Sequence, residues 1–349
     1  MRIALLSPIS HAVPPTGYGP WERVVADLAA GLVQSGHEVT VFAAGGSQAG
    51  TTVVATTPAP LDSWKSDHVP EPRIWEEIHI AEAARQARAG RFEVVHNHLH
   101  VHALGYAEHL PCPVVTTLHG VGWNRAVHPA LDRYRELPFV SISDAERRFF
   151  PGLRYVATVH NGVDSEAFPP GGGDGGYLLF AGRMSPEKAP HLAVQAAIQA
   201  ERRLLLAGPL EWRHRAYFES QVSPLLDGDR VHLGPVDSGG MGELYRGAEA
   251  LLMPLEWDEP FGLVAAEALM SGTPVVGWRR GALPELIEDG STGFLVDSVD
   301  QAVGALTRVG GLDRMSCRLA AESRFDRRVM AAGYVEAYIR ALAGSDGLE

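Results

Sequence analysis

The run Glu259-Pro-Phe-Gly-Leu-Val-Ala-Ala-Glu267-Ala-Leu-Met-Ser-Gly-Thr-Pro-Val-Val276 sets an apolar helix between two strands. Pro260 suits a helix start, and Phe261, Val264, Ala265, Ala268 and Leu269 recur at the spacing of a buried helical stripe. Gly272 and Pro274 end it. Ala250-Leu-Leu-Met-Pro254 ahead of the run reads as a strand and Val275-Val-Gly277 begins another, which makes a βαβ unit. A helix beginning near Phe261 leaves free backbone N–H groups at Gly262, Leu263 and Val264. Together with the helix dipole these form an anion site.

Two carboxylates bracket that site, Glu259 before it and Glu267 after it. Carboxylates accept hydrogen bonds from sugar hydroxyls, so a nucleotide-sugar laid across the helix start would engage both. The plainer reading is a pair of solvated glutamates beside a core helix.

Outward from this unit the chain keeps alternating strand and helix, as parallel sheets require. Ile3-Ala-Leu-Leu6 is a short strand. Gly17-Tyr-Gly19-Pro-Trp21 then opens a helix with Val24, Val25, Leu28 and Leu32 on one face. Gly17 and Gly19 remove Cβ atoms where a backbone approaches a ligand, although a glycine pair also serves simply to turn a chain. Val39–Phe42 and Thr52–Ala55 read as strands, and Ile74–Ala89 as a helix closed by Gly90. After the strand Phe92–His96, the residues His96, His98, His100 and His102 alternate along one face, a pattern that suits a metal ion. No cysteine or carboxylate completes a usual ligand set, so ordinary packing is the preferred reading. Val114–Leu118 is a buried strand that delivers His119 to its carboxyl end, where open α/β sheets place ligands; a satisfied core histidine is the alternative. Phe139–Ser143 gives a further strand with Asp144 as N-cap, and Arg147-Arg-Phe-Phe150 has the chemistry to touch a phosphorylated or lipid acceptor.

Val156–His160 and Asn161-Gly-Val-Asp164 lead into a stretch from Pro169 to Gly176 rich in proline and glycine, which reads as an interdomain linker. Tyr177–Ala181 restarts a sheet. Arg183 and Lys188 follow, and Lys65 and Lys188 are the only lysines in an arginine-rich chain. Arg183 can grip a phosphate bidentately while Lys188 supplies a compact charge. Each is worth about 4 kcal/mol to an added charge about 4 Å away at an effective dielectric near 20. Pairing with Glu187 and other surface acids is the competing fate. Arg203–Ala207 and Val231–Val236 are strand-then-turn units, and Asp227-Gly-Asp229 reads as an acidic turn rather than a metal site. Gly281–Glu285 opens a short helix. From Val299 onward the chain is helical, and Val329, Tyr334, Tyr338 and Ile339 offer the last helix an apolar stripe for packing back onto the first domain.

A chain of 349 residues that is 46% hydrophobic has material for two sizeable cores. Its net charge of −12 argues against a nucleic-acid partner, which needs a basic face. No window approaches eighteen uninterrupted apolar residues, so no transmembrane segment and a cytoplasmic location are expected. Cys112 and Cys317 lack a paired motif, so structural roles are expected of them in preference to a disulfide.

The pattern E-P-F-G-L-x-x-x-E-A followed by G-T-P-V-V resembles the E-x7-E motif of retaining glycosyltransferases of family 4, and further matches run along nearly the whole chain. The resemblance implies an α/β GT-B fold, with two Rossmann-like domains whose parallel sheets face each other across a cleft. Residues 1–165 would bind the acceptor and 166–325 the nucleotide-sugar, with a C-terminal helix over 326–349 packing back toward the first domain. It implies transfer of a hexose from a UDP- or GDP-sugar to a small-molecule, lipid-linked or saccharide acceptor, with retention, without metal, and with no cofactor besides the nucleotide-sugar co-substrate. The G-R-x-x-x-x-K pattern of Arg183 and Lys188 matches the family's diphosphate clamp. By the same resemblance Glu259 holds donor hydroxyls, Glu267 the ribose and His119 the sugar. Gly17 and Gly19 approach the phosphates, as do the amides from Phe261 through Gly262 and Leu263 to Val264, and main chain near Val236 receives the base. Relatives carry a similar His-x-His without metal. No side chain stands out as nucleophile or base, which fits a same-face mechanism in which a donor phosphate oxygen takes the acceptor proton. A GT-B sugar-nucleotide 2-epimerase and a non-catalytic sugar-nucleotide sensor are the competing functions.

Overall fold

A computed structural model of the chain describes residues 1–64, 71–120 and 124–345, so Lys65 lies outside the described residues. The chain forms two compact units, Met1–Gly162 with Arg327–Glu349, and Val163–Asp326.

The first unit is built on β1 (Arg2–Leu6), β2 (Glu38–Ala43), β3 (Thr52–Ala55), β4 (Val94–Asn97), β5 (Val114–Thr117), β6 (Phe139–Ser141) and β7 (Tyr155–Thr158). They pair in parallel in the order β3-β2-β1-β4-β5-β6-β7. Parallel neighbours need crossovers that cover the sheet, so strands buried on both faces read as apolar runs. Ile3, Ala4 and Leu5 of β1 are fully buried accordingly. The helix Pro20–Gln34 turns Val24, Val25, Leu28 and Leu32 inward, all fully buried.

The last helix, Arg327–Ser345, packs in this unit. Its buried stripe differs from the expected one: Val329 is 41% and Ile339 55% exposed, while Met330, Ala331, Tyr334, Ala337, Tyr338 and Ala341 face inward. Residues three and four apart share a helix face, and Val329 and Ile339 fall outside the face that Tyr334 and Tyr338 define. Each buried phenol finds a partner: Tyr338 Oη lies 2.8 Å from His96 Nδ1, and Tyr334 Oη 3.0 Å from Thr117 Oγ1. The helix comes so close to Pro20–Gln34 that a Cβ on Gly31 would sit 2.7 Å from the Arg327 carbonyl oxygen. Ser143, not Asp144, caps the helix Asp144–Arg147, accepting from the Glu146 N–H at 2.9 Å.

The second unit carries β8 (Tyr177–Ala181), β9 (Leu204–Ala207), β10 (Arg230–Gly234), β11 (Ala248–Met253), β12 (Val275–Trp278) and β13 (Gly293–Val296), in the parallel order β10-β9-β8-β11-β12-β13. Leu178, Phe180, Leu204, Leu206, Leu252 and Val276 form its core. The Pro/Gly stretch expected to be a linker is instead strapped to this unit. Gly171, Gly173 and Gly175 donate to the carbonyls of Ser271, Arg246 and Gly247. The Arg314 guanidinium takes the Gly171 carbonyl, and Arg318 takes those of Ser165 and Phe168. Small residues here let the backbone lie flush, since a Cβ on Gly171 would be 2.5 Å from Arg246.

Both sheets wind outward from a central strand, so the strand order reverses between β1 and β4 and again between β8 and β11. Ligands of doubly wound sheets bind outside the carboxyl ends of strands at such reversals.

Candidate active site

In the second unit, β8 and β11 both end on chemistry. Beyond Ala181 the chain passes Gly182, at φ 151°, to Arg183 and a tight turn Pro186–Lys188. Ala189 closes that turn fully buried at φ 50°, a left-handed conformation costly for a residue with a Cβ and tolerated only where the surroundings enforce it. Arg183 is partly exposed and pairs with Glu187 at 3.1 Å and Glu211 at 3.7 Å. Lys188 forms an ion pair with Oε2 of Glu259, which is 7% exposed. Arg183 and Lys188 thus both rest on carboxylates, Arg183 on Glu187 and Glu211 and Lys188 on Glu259. The carboxylate that holds Lys188 is Glu259 of the E-x7-E motif.

The loop after β11 is pinned to this turn. The Glu256 N–H donates to the Glu187 carbonyl at 3.0 Å, and the Ala282 N–H to the Glu259 carbonyl at 2.8 Å. Trp257 donates its indole N–H to Glu259 Oε2 at 3.1 Å, and its ring lies 4.8 Å beneath the Lys188 ammonium. Arg183, Lys188 and Glu259 are therefore brought together by a short chain of direct contacts.

The helix of the motif spans Leu263–Met270, two residues later than expected. Phe261 is an anchor instead, 2% exposed and edge-on to Phe325 at 5.9 Å. Gly262 then turns into the helix at φ 98°. Ala265 and Ala266 are the first N–H groups to find a helical partner, the Gly262 carbonyl. Among the described residues, no backbone hydrogen bond uses the N–H of Gly262, Leu263 or Val264. Glu267 sits past the first turn, half-buried, and accepts from the fully buried Tyr245 hydroxyl at 2.9 Å. Val236 follows β10 next to the N-cap Asp237, and among the described residues no backbone hydrogen bond involves its own N–H or C=O.

In the first unit, Gly19 precedes the helix Pro20–Gln34 at φ 153°, and a Cβ there would sit 2.8 Å from Pro15. Gly17 has open space around its Cβ position among the described residues, and none of their atoms demands glycine there. β4 and β5 bring His96, His98, His100 and His119 together. His98 Nδ1 and His119 Nε2 share a hydrogen bond at 2.9 Å with the rings stacked 5.2 Å apart. Trp21 stands edge-on to His100 at 4.8 Å. His102 departs from the row, half its side chain exposed beside Glu76. Burial, with neighbouring histidines second, pushes His96, His98 and His119 well below the usual imidazole range and His100 down to about 3. A neutral His119 is a directional hydrogen-bonding group rather than a cation. Its Nδ1 is buried without a partner among the described residues, as are Nε2 of His98 and of His100. Among the described residues, no group of three or more His, Cys, Asp or Glu is arranged to hold a metal ion.

Sequence reasoning missed Trp257, Tyr245 and Glu146. Glu146 is 1% exposed and accepts from the N–H groups of Gly120 and Ile142, which braces the turn after His119. Burial pushes its carboxyl up to about 8. Its signal was present as the S-x-x-E capping pattern of Ser143 to Glu146. Trp257 and Tyr245 belong to no pattern.

Two doubly wound parallel sheets of this order are those of the GT-B fold, and the relatives reported next make the chain a glycosyltransferase that uses a nucleotide-sugar donor. Residues 21–167 match the family described as Glycosyltransferase Family 4, and residues 168–309 match Glycosyl transferases group 1. The chain belongs to the family 4 glycosyltransferases. It is similar to the D-inositol 3-phosphate glycosyltransferase of Mycolicibacterium smegmatis, 29% identical over 92% of this chain and 86% of the relative. It is also similar to the glycogen synthase of Mycobacterium tuberculosis, 27% identical over 99% and 96% of the two chains. The crystal structure of AviGT4, a glycosyltransferase involved in avilamycin A biosynthesis, superposes with a TM-score of 0.76 at 28% identity over 99% of this chain and 98% of that one. Among the described residues no helix is long and apolar enough to cross a membrane.

Proposed function

We propose that the chain transfers a hexose from a UDP- or GDP-sugar to a hydroxyl acceptor with retention at the anomeric carbon and without a metal ion. The observation that carries this reading is the convergence of Lys188 and Trp257 on one oxygen of the buried Glu259, at the strand reversal where Arg183 also emerges. Arg183 and Lys188 supply the positive charge a departing diphosphate needs, and the amides of Gly262, Leu263 and Val264, which no backbone hydrogen bond uses among the described residues, add oriented dipoles. Glu259 is assigned the sugar hydroxyls, Glu267 the ribose, and main chain at Val236 the base. In the first unit, His119 is assigned a sugar hydroxyl and the Gly17–Gly19 loop the phosphates.

In the reaction the acceptor oxygen forms a bond to the anomeric carbon on the face from which the diphosphate leaves. The carbon–phosphate-oxygen bond breaks, and a departing phosphate oxygen takes the acceptor proton. The acceptor is read from the named relatives, one acting on an inositol phosphate and the other building glycogen. We assign a polyhydroxylated acceptor, a polyol phosphate or a saccharide, in preference to a lipid-linked one. The reading also places the protein in the cytoplasm, where sugar nucleotides are its substrates.

Arg183→Ala is expected to lower turnover about 100-fold or more at saturating donor, the loss typical of a preorganised anion-stabilising group. Release of nucleoside diphosphate from UDP-glucose and GDP-mannose, with inositol phosphate or oligosaccharide acceptors, reads this out. An unchanged rate removes the clamp from the mechanism. A chelator is expected to leave the rate intact, and the anomeric proton signal of the product reports retention or inversion.

A further inference from the structure

The residue that links the two halves of this donor site is Trp257, two positions ahead of Glu259 and outside every motif. Its N–H and its ring face do different work. The N–H donates to Glu259 Oε2 at 3.1 Å, the same oxygen that meets Lys188. The ring face carries the Lys188 ammonium 4.8 Å from its centroid, within the range of a cation–π contact. Its own position is fixed by hydrogen bonds on either side. The Glu256 N–H donates to the Glu187 carbonyl and Arg280 to the Glu256 carbonyl, while the Asp258 carboxylate accepts from the Gly281 N–H.

We infer that Trp257 is a positioning residue for the transfer reaction, aiming the Glu259 carboxylate at the sugar through its N–H and the Lys188 ammonium at the diphosphate through its ring. Donor binding draws Lys188 toward the phosphates and leaves Glu259 Oε2 with one partner, the indole. Without that bond the carboxylate follows the lysine or turns to solvent. The inference rests on the assignment of Lys188 to the diphosphate and Glu259 to the sugar, so its test separates the two.

The full chain is compared with Trp257→Phe, which keeps a ring face and loses the N–H, and Trp257→Leu, which loses both. Glu259→Gln and Lys188→Met serve as the second members of double-mutant cycles. Affinity is measured with UDP and GDP alone, and turnover with UDP-glucose and GDP-mannose. Trp257→Phe is expected to leave nucleoside-diphosphate affinity within about twofold of the parent and to lower kcat/KM for the sugar donor about tenfold, the scale of one hydrogen bond to a charged group. Added to Glu259→Gln, it is expected to cost little more. Trp257→Leu is expected to weaken nucleoside-diphosphate binding as well, and its loss is expected to shrink in the Lys188→Met background. Strictly multiplicative losses in both cycles overturn the role of Trp257 while leaving the donor site standing, provided Glu259→Gln and Lys188→Met are themselves impaired. Full activity in those two single variants overturns the donor assignment and the inference with it. Melting curves for each variant identify a folding loss. If Trp257→Leu melts early, the Trp257→Phe cycle with Glu259→Gln decides alone.

Discussion

Gly281 fixes where Glu259 can sit. At φ 56°, a Cβ on it would lie 2.2 Å from the Glu259 nitrogen and 2.3 Å from its carbonyl oxygen, so any side chain pushes the Glu259 backbone aside. Gly281→Ala is expected to cost about 2–3 kcal/mol through the left-handed backbone and the clash together. Melting temperature is expected to drop by roughly 2–4 °C per kcal/mol, with donor turnover at least about tenfold lower. Normal turnover in a folded Gly281→Ala variant contradicts this placement of Glu259. Tyr245 acts on the other glutamate: its hydroxyl occupies Glu267 Oε2 from a fully buried position and so orients the carboxylate. Tyr245→Phe is expected to raise the donor KM about five- to tenfold, the scale of a hydrogen bond to a charged acceptor, with kcat little changed. Parallel kinetics on a donor with a 2′-deoxyribose check it, because the variant's penalty is expected to shrink there.

At the scale of elements, the strands and their carboxyl-end residues were legible in the sequence. Apolar runs such as Tyr177–Ala181 and Leu204–Ala207 have no other reading once both faces of a parallel sheet are covered. Helix starts were less legible. Nothing in Glu-Pro-Phe-Gly says that Phe261 will be spent on an edge-on contact with Phe325, a residue far along the chain, and that Gly262 will turn left-handed to begin the helix after it. The stripe of the last helix was misjudged for a related reason. Val329 and Ile339 are as apolar as its buried residues, and partners on other elements decide the face: His96 takes one tyrosine hydroxyl and Thr117 the other. The Pro/Gly stretch 169–176 has linker composition, and the distant Arg314 guanidinium together with the carbonyls of Arg246, Gly247 and Ser271 makes it part of a unit.

At the scale of the whole molecule, the buried histidines are expected to weaken the fold in acid. His79 is depressed to about 4 by burial, His100 to about 3, and His96, His98 and His119 lie well below the ordinary 6.5 of an exposed imidazole. A depressed folded-state value means that the unfolded chain binds more protons as the pH falls. The contribution is present above pH 6.5 and is lost progressively below it. Melting temperature is therefore expected to fall steadily from pH 7 to pH 5, and a flat profile contradicts the neutral cluster. Glu146 has the opposite sign: its carboxyl, raised to about 8, contributes most below its unfolded value of 4.5 and loses that contribution as pH rises through 8. Glu146→Gln is expected to flatten the alkaline side of the same profile.

We propose that Arg183 and Lys188 hold a donor's diphosphate at the second sheet reversal. Calorimetric titration of UDP and GDP into the full chain, Arg183→Ala and Lys188→Ala tests it most directly. Binding of one nucleotide by the parent and at least about tenfold weaker binding by each variant, the scale of one charge-assisted contact, is the expected result. Equal affinity across all three proteins contradicts it.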